Sequence, residues 1–266
     1  MIDISVTIIT RNEELNIQRC LDSVKEIAGE VIVVDSCSTD KTVEICEAFG
    51  CRIFIREFTG YSSQKQFAVD QAANDWVLSI DADEVVSPQL QNDLKRFTRS
   101  NNSGIDMVAG YYIPFLLFYM GTPLNHCGKG RNLRLFNRKA GKFTLVAVHE
   151  RFEIIGKPGE MKGQILHYSF RDCSHHLEKI NYYTSLAAGD NNIKGKRFNK
   201  SWVAFKFLFT FCTFYFKKMG ILDGCSGFMW SFMAGIYTSI KIAKTIELTE
   251  NAGHINYLQP EHMVQH

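Results

Sequence analysis

No stretch of this chain reaches the roughly 20 consecutive apolar residues that a helix needs to cross a bilayer, so a membrane span is not expected anywhere in its 266 residues. Nor does either early strand-to-helix turn carry the Gly-x-Gly-x-x-Gly needed for close approach to a dinucleotide pyrophosphate, which disfavours a dehydrogenase. Charge of one sign is also scarce. Lys plus Arg number 30 against 28 Asp plus Glu, a net charge of +2 that gives no argument for nucleic acid. The eight cysteines include no Cys-x-x-Cys pair, and no secretory leader precedes the first expected strand, so we expect reduced thiols in a cytoplasmic protein. Cys173, His175 and His176 lie within four residues, with no second ligand pair spaced to complete a zinc tetrahedron. Internal repeats and low-complexity linkers are missing too, whereas a hydrophobic content of 45% is ample for a packed core.

What the chain does have is a recurring unit of buried strand, polar tip and helix. Ile4 to Thr10 runs into Arg11-Asn12-Glu13-Glu14 and then a helical period at Leu15, Cys20, Leu21 and Val24. Glu30 to Val34 ends on Asp35, followed by Ser36-Cys37-Ser38-Thr39-Asp40 and a helix closed by Gly50. The third unit, Trp76 to Ile80, delivers Asp81-Ala82-Asp83 and then Glu84. Ligands of open parallel α/β sheets bind at the carboxyl ends of the strands, so the three tips should converge. Two carboxylates one residue apart make a hard-oxygen site for a divalent cation that also holds a diphosphate. Taken alone, the same spacing is usually that of a solvated strand end. Beyond it, Ser87-Pro88 is a helix start leading into residues 89–98, residues 107–118 are aromatic and β-rich, and residues 131–136 alternate as a strand.

The order and spacing of Thr10-Arg11-Asn12-Glu13, Val33-Val34-Asp35-Ser36 with Ser38-Thr39-Asp40, Gln64-Lys65-Gln66-Phe67-Ala68, and Trp76 to Glu84 closely resemble the family 2 glycosyltransferases, inverting enzymes of the GT-A fold. Val148-His149-Glu150, Leu166-His167-Tyr168-Ser169, Lys179 to Thr184 and Gly220 to Gly224 extend the likeness toward the branch containing the lipopolysaccharide core β-glucosyltransferases. The resemblance implies an α/β fold: a Rossmann-like, mostly parallel central sheet that binds a nucleotide-diphospho-sugar. It also implies that Thr10, Arg11 and Glu13 contact the nucleotide, that Lys65 lies near it, and that Glu150 occupies the place of the acidic base, with His149 orienting it or binding acceptor. Asp35 is placed to accept hydrogen bonds from the base or ribose; its plainer reading is a helix-capping carboxylate. Asp83 is expected to ligate Mg2+ or Mn2+ directly, and Asp81 to contact ribose or the same metal. Arg131 and Arg134 are assigned to one face of a strand, able to pair with phosphate or acceptor, and His167 and Tyr168 to acceptor contacts.

We expect a catalytic domain over residues 1–173, its nucleotide half at 1–100 and its acceptor half at 101–173, then a helical region over 174–266. Within that region residues 202–216 and 227–240 are apolar but too short to span. Between residues 191 and 250 nine basic side chains face three acidic ones. Either the two stretches form a buried hairpin, or they lie in the membrane interface with lysines on anionic headgroups. The density of large aromatics favours the membrane, on the cytoplasmic face of the inner membrane. The expected reaction moves a hexose, glucose from UDP-glucose, onto a membrane glycolipid such as a lipopolysaccharide core sugar. Transfer to a polyprenyl phosphate is the alternative within the fold. A nucleotide-sugar-binding scaffold is the alternative without catalysis, disfavoured because a pure binder has no use for a base.

Overall fold

The computed structural model describes residues 3–99, 108–144 and 151–250. The chain divides into two units, Met1–Phe170 and Arg171–His266. In the first, β1 (Ile4–Thr10) is buried along its length, and α1 (Ile17–Val24) buries Ile17, Cys20, Leu21 and Val24. Those four positions are i, i+3, i+4 and i+7, the apolar stripe of one helix face. β2 (Glu30–Asp35) leads to α2 (Thr42–Phe49), which Gly50 ends in the left-handed conformation at φ 87°. β3 (Arg52–Ile55), α3 (Tyr61–Asp70) and β4 (Trp76–Asp81) complete a parallel run in the order β3-β2-β1-β4. Strand register sets Thr10 opposite Asp35 and Ile9 opposite Asp81. The three polar tips therefore end side by side on one edge.

The expectation of a mostly parallel sheet holds only as far as β4, because the remainder is mixed. β5 (Glu84–Val86) and α4 (Pro88–Arg99) follow directly, with Ser87 Oγ accepting from Leu90 N at 3.3 Å. Next come β6 (Val108–Tyr119), β7 (Thr122–Pro123), β8 (Lys129–Asn137), β9 (Gly141–Phe143), β10 (Phe152–Ile154), β11 (Lys157–Glu160) and β12 (Ile165–His167). β8 enters antiparallel beside β4, β6 lies antiparallel to β8, and β12 is held between β6 and β5. Between Tyr111 and Tyr112 the register of β6 against β8 shifts, Tyr111 facing Leu135 and Tyr112 facing Leu133. Arg134 is thus the extra residue of a bulge, a device that re-aims a side chain. A Cβ on Gly163 would stand 2.2 Å from Leu90 N, so only glycine lets the approach to β12 close on the start of α4. Two apolar clusters fill the unit, the larger around Ile8, Leu21, Leu78 and Leu135, the smaller around Phe136, Phe143 and Phe152.

In the second unit, α5 (Cys173–Ile193) starts at Asp172, whose carboxylate accepts from His175 N at 2.8 Å. α6 (Ser201–Cys212) continues through a π-helical turn, Thr213–Lys217, and α7 spans Gly224–Glu250. The second apolar stretch is thus part of a 27-residue helix, longer than the segment read at 227–240. α7 packs against α6 and α5: Gly235 faces the Phe207 ring, Ser239 Oγ donates to Val203 O at 2.8 Å, and Lys244 Nζ donates to Asn181 O at 2.7 Å. His176 stacks on Trp230, and burial, with Lys179 nearby, pushes its imidazole down to about 4. Cys173 is exposed while His176 is buried, so the Cys173, His175, His176 trio does not turn to one point. Among the described residues no helix is long and apolar enough to cross a membrane.

Candidate active site

At the end of β4 the Asp81 carboxylate is gripped on both oxygens. Oδ1 lies 3.0 Å from Lys65 Nζ on α3, and Oδ2 lies 3.1 Å from the Arg134 guanidinium on β8. Burial works against its charge, but Lys65 and then Arg134 hold it well below the usual carboxylate range. Asp83 sits two residues on, past the turn, with Oδ1 3.3 Å from Nε2 of His167, and its carbonyl accepts from Tyr168 N at 2.9 Å. Burial disfavours a charged imidazole at His167, yet Asp83, with Glu84 and Asp81 behind it, raises it to about 9. Ser169 Oγ also lies 2.5 Å from Nε2. Glu84, 1% exposed, lies beneath the turn.

The tips of β1 and β2 are knitted to each other. Asp35 is fully buried, its Oδ1 accepting from Ser38 N at 2.8 Å and its Oδ2 from Ser38 Oγ at 2.5 Å, bonds that close the turn after β2; α2 starts only at Thr42 behind Lys41, so Asp35 does not cap it. Asn12, at φ 54°, receives Thr39 N on its side-chain oxygen at 2.8 Å, while its own N–H donates to Ser38 Oγ at 2.8 Å. Glu13 N donates to Thr42 Oγ1 at 2.8 Å, and Asn16 donates to the Glu13 carboxylate at 2.6 Å. Thr10 is buried with its hydroxyl unpartnered, and Arg11 is exposed. Polar residues in αL and Asx-type turns suit such tips because their short side chains bond the backbone locally.

Thr10, Asp35, Lys65, Asp81, Asp83 and Arg134 are accordingly brought to one region, with Glu13 at its margin. Arg131 is not. It is exposed and pairs with Glu160 at 2.6 Å, whereas the bulged Arg134 is buried, so the two arginines assigned to one role are parted. His149 and Glu150 lie outside the described residues. The residues on either side of that segment are paired, Thr144 N donating to Arg151 O at 2.8 Å, and Phe143 N donates to Gln66 Oε1 at 2.8 Å, next to Lys65 on α3. His167 and Glu84 are the residues whose place the sequence did not disclose. His167, read as an acceptor contact, pairs across strands with Glu84 and faces Asp83.

The donor set fits a divalent cation in one particular way. A carboxylate oxygen and an imidazole nitrogen stand 3.3 Å apart at Asp83 and His167. Among the described residues no cluster of three His, Cys, Asp or Glu side chains forms a complete cage. One or two carboxylates with phosphate oxygens and water completing the shell is how Mg2+ is held with a nucleotide, a part Asp83 fits; His167, charged beside Asp83, would join as a ligand only on giving up its proton. Asp81, engaged by two cations, is the weaker candidate.

The chain is 35% identical over 262 residues, 92% of its length and 87% of the relative's, to an uncharacterized glycosyltransferase of Rickettsia typhi. It is 31% identical over 255 residues, 91% of each protein, to the lipopolysaccharide core biosynthesis glycosyltransferase LpsC of Rhizobium meliloti. Among solved structures, glucosyl-3-phosphoglycerate synthase from Mycobacterium tuberculosis with Mn2+, UDP and glucosyl-3-phosphoglycerate overlaps 45% of this chain and 44% of its own at TM-score 0.33 and 23% identity. The family model for glycosyl transferase family 2 matches residues 5–153, the span that holds β2 to β9 with Asp35, Asp81, Asp83 and Glu84. The chain is a member of glycosyltransferase family 2.

Proposed function

We propose that this glycosyltransferase moves a hexose, glucose from UDP-glucose, with inversion onto a membrane glycolipid such as a lipopolysaccharide core sugar. The observation that carries the reading is the pairing of Asp83 with His167 beside the Lys65-Asp81-Arg134 chain at the carboxyl edge of parallel strands. That edge offers cation ligands and fixed positive charge where a diphosphate would lie. A bound Mg2+ or Mn2+ there supplies Lewis-acid stabilisation of the departing diphosphate. Lys65 and Arg134 keep Asp81 ionised and oriented toward the ribose, while Thr10, Arg11, Glu13 and Asp35 line the nucleoside end. Glu150 takes the proton of the attacking hydroxyl from the acceptor side, and His149 orients it. The tie between Phe143 and Gln66 supports that choice, since it anchors the segment before Glu150 to the helix that carries Lys65. LpsC supports the acceptor class by its similarity over 91% of both chains.

Thermal stabilisation by UDP-, GDP- and ADP-sugars, each with and without Mn2+, tests the donor. Only a ligand that binds the native state raises the apparent stability, by an amount that grows with its concentration over Kd. UDP-glucose with Mn2+ should give the largest shift; a GDP- or ADP-sugar that outranks it would replace the donor named above.

A glycolipid acceptor brings the enzyme to a membrane, and we place it peripherally on the cytoplasmic face. α6 buries none of its residues, and Trp202, Phe205, Leu208, Phe209 and Phe216 are all exposed. Ile221, Leu222, Phe228 and Phe232 extend the same apolar exposure. Large apolar side chains exposed in such number mark an interaction surface. Lys206, Lys217 and Lys218 border it, with Lys200 paired to Glu250 at 3.3 Å, and only Asp223 is of opposite sign between residues 199 and 224, a charge balance that favours an anionic lipid surface. Each lysine near such a surface contributes about 1 kcal/mol, and the buried aromatics add a part that salt does not screen. Flotation with anionic liposomes should therefore carry the protein upward and resist salt in part, and truncation before Lys194 should abolish it. Recovery in the soluble fraction at every lipid composition would remove the membrane from the reading.

A further inference from the structure

Glu84 is a fully buried carboxylate for which glycosyl transfer itself has no use. It nevertheless makes three contacts that converge on the donor site. Oε2 accepts the Asp81 N–H at 2.8 Å, Oε1 receives the Arg134 guanidinium at 2.5 Å, and Oε1 lies 4.0 Å from Nδ1 of His167. Arg134 reaches onward from its bulge to Ser79 O at 3.4 Å and to Asp81 Oδ2 at 3.1 Å. One buried side chain thus touches the backbone of Asp81, the cation that holds Asp81's carboxylate, and the ring that faces Asp83.

We propose that Glu84 and Arg134 are positioning residues of the donor site: together they lock Asp81 out of direct metal ligation and fix the spacing of Asp83 and His167 that receives a divalent cation with its nucleoside diphosphate. The reasoning is geometric. A cation seated on Asp81 would have to displace Lys65 or Arg134, one from each oxygen, whereas Asp83 Oδ1 faces the His167 ring at 3.3 Å, whose nitrogen becomes a metal donor once its proton leaves. The turn from Asp81 to Asp83 spans only Ala82, so an amide held at Asp81 and a carbonyl held at Asp83 by Tyr168 N leave the Asp83 carboxylate little choice of direction. β12 closes the frame, since His167 is the cross-strand neighbour of Glu84 itself. Residues that orient ligands from behind commonly change metal affinity about 10- to 100-fold when altered.

The inference rests on the donor reading above, and the test separates the two. Removing Glu84 takes one carboxylate from the buried Arg134, which keeps Asp81, while removing Glu84 and Arg134 together leaves Asp81 paired with Lys65, so no buried charge is stranded. Glu84→Gln should lower the thermal midpoint and weaken binding of Mn2+ with UDP. Glu84→Gln combined with Arg134→Met should regain the midpoint yet bind Mn2+ with UDP at least about tenfold more weakly than the parent protein, by calorimetry or by the Mn2+ paramagnetic resonance signal. A purely structural pair would restore both, so parent-like binding in the refolded double variant overturns the inference. Should the double variant fail to fold, Arg134→Lys decides. It keeps the buried charge but cannot fork between Asp81 and Glu84, and it should raise the Mn2+ requirement and the KM for donor while kcat at saturation changes less. An unchanged Mn2+ requirement overturns the inference, and a parent protein that binds no UDP with Mn2+ overturns the donor reading instead.

Discussion

Asp83→Asn should yield a folded protein whose turnover no longer responds to Mg2+ or Mn2+. The fold survives because the backbone carbonyl still accepts from Tyr168 N at 2.9 Å and an amide of the same size can still accept from the His167 ring. Binding suffers because an amide oxygen is a poor substitute for a carboxylate toward a hard cation. Without the cation the donor has to place its diphosphate among Asp81, Asp83 and Glu84. Each pair of like unit charges 4 Å apart costs about 4 kcal/mol at an effective dielectric near 20. Lys65 and Arg134 are already committed to Asp81 and cannot offset that repulsion alone. Initial rates measured across a Mn2+ titration, and again in chelator, decide the matter. Wild-type turnover that persists in chelator would show that no metal is needed and that the role given to Asp83 is wrong.

The parallel half of the sheet was legible because its signals are local. Each strand is a short apolar run closed by polar tip residues, and the helices announce themselves by period, by Ser87-Pro88 at one start and by Gly50 at one end. β3 escaped notice because Arg52–Ile55 is a four-residue edge strand whose apolar run, Ile53-Phe54-Ile55, is too short to mark a strand by itself. What determines the site is less local. β8 enters beside β4 through Leu78 and Leu135, and β12 beside β5 through His167 and Glu84, pairings between strands more than 50 residues apart. No local pattern encodes them. The bulge at Arg134 is of the same kind. Alternation along residues 131–136 gives no notice of an extra residue, and the two arginines were therefore given one role when one lies on Glu160 in solvent and the other beneath Asp81.

The helical region shows the complementary failure. The apolar stretch read at 227–240 stops at Lys241 because mean hydropathy drops there, yet the helix runs on to Glu250. Its period does not stop: Ile242, Thr245 and Ile246 remain buried at helical spacing, while Lys244 turns to Asn181 and Ser185. Periodicity carried the information that average polarity concealed. The same distinction separates α7, which buries a face, from α6, which buries none.

Glu150→Gln should retain nucleotide binding and lose transfer by about 10²- to 10⁴-fold, the usual contribution of a positioned general base. Inversion requires the incoming hydroxyl to approach from the face opposite the departing diphosphate, so its base cannot be one of the carboxylates beside Lys65 and Arg134. Glu84 is buried under Arg134, Asp81 is held between two cations, and Asp83 faces His167. Glu150 follows β9 in the sequence, and Phe143, the last residue of β9, is tied to Gln66 one position from Lys65. The amide keeps the size of the side chain and removes its ability to take a proton, so the loss should fall on kcat while KM for the donor changes little. Steady-state kinetics with UDP-glucose and glycolipid acceptor, together with UDP titration of the variant, read both quantities. Full activity in Glu150→Gln would make Glu150 structural and move the base to another residue of the acceptor half.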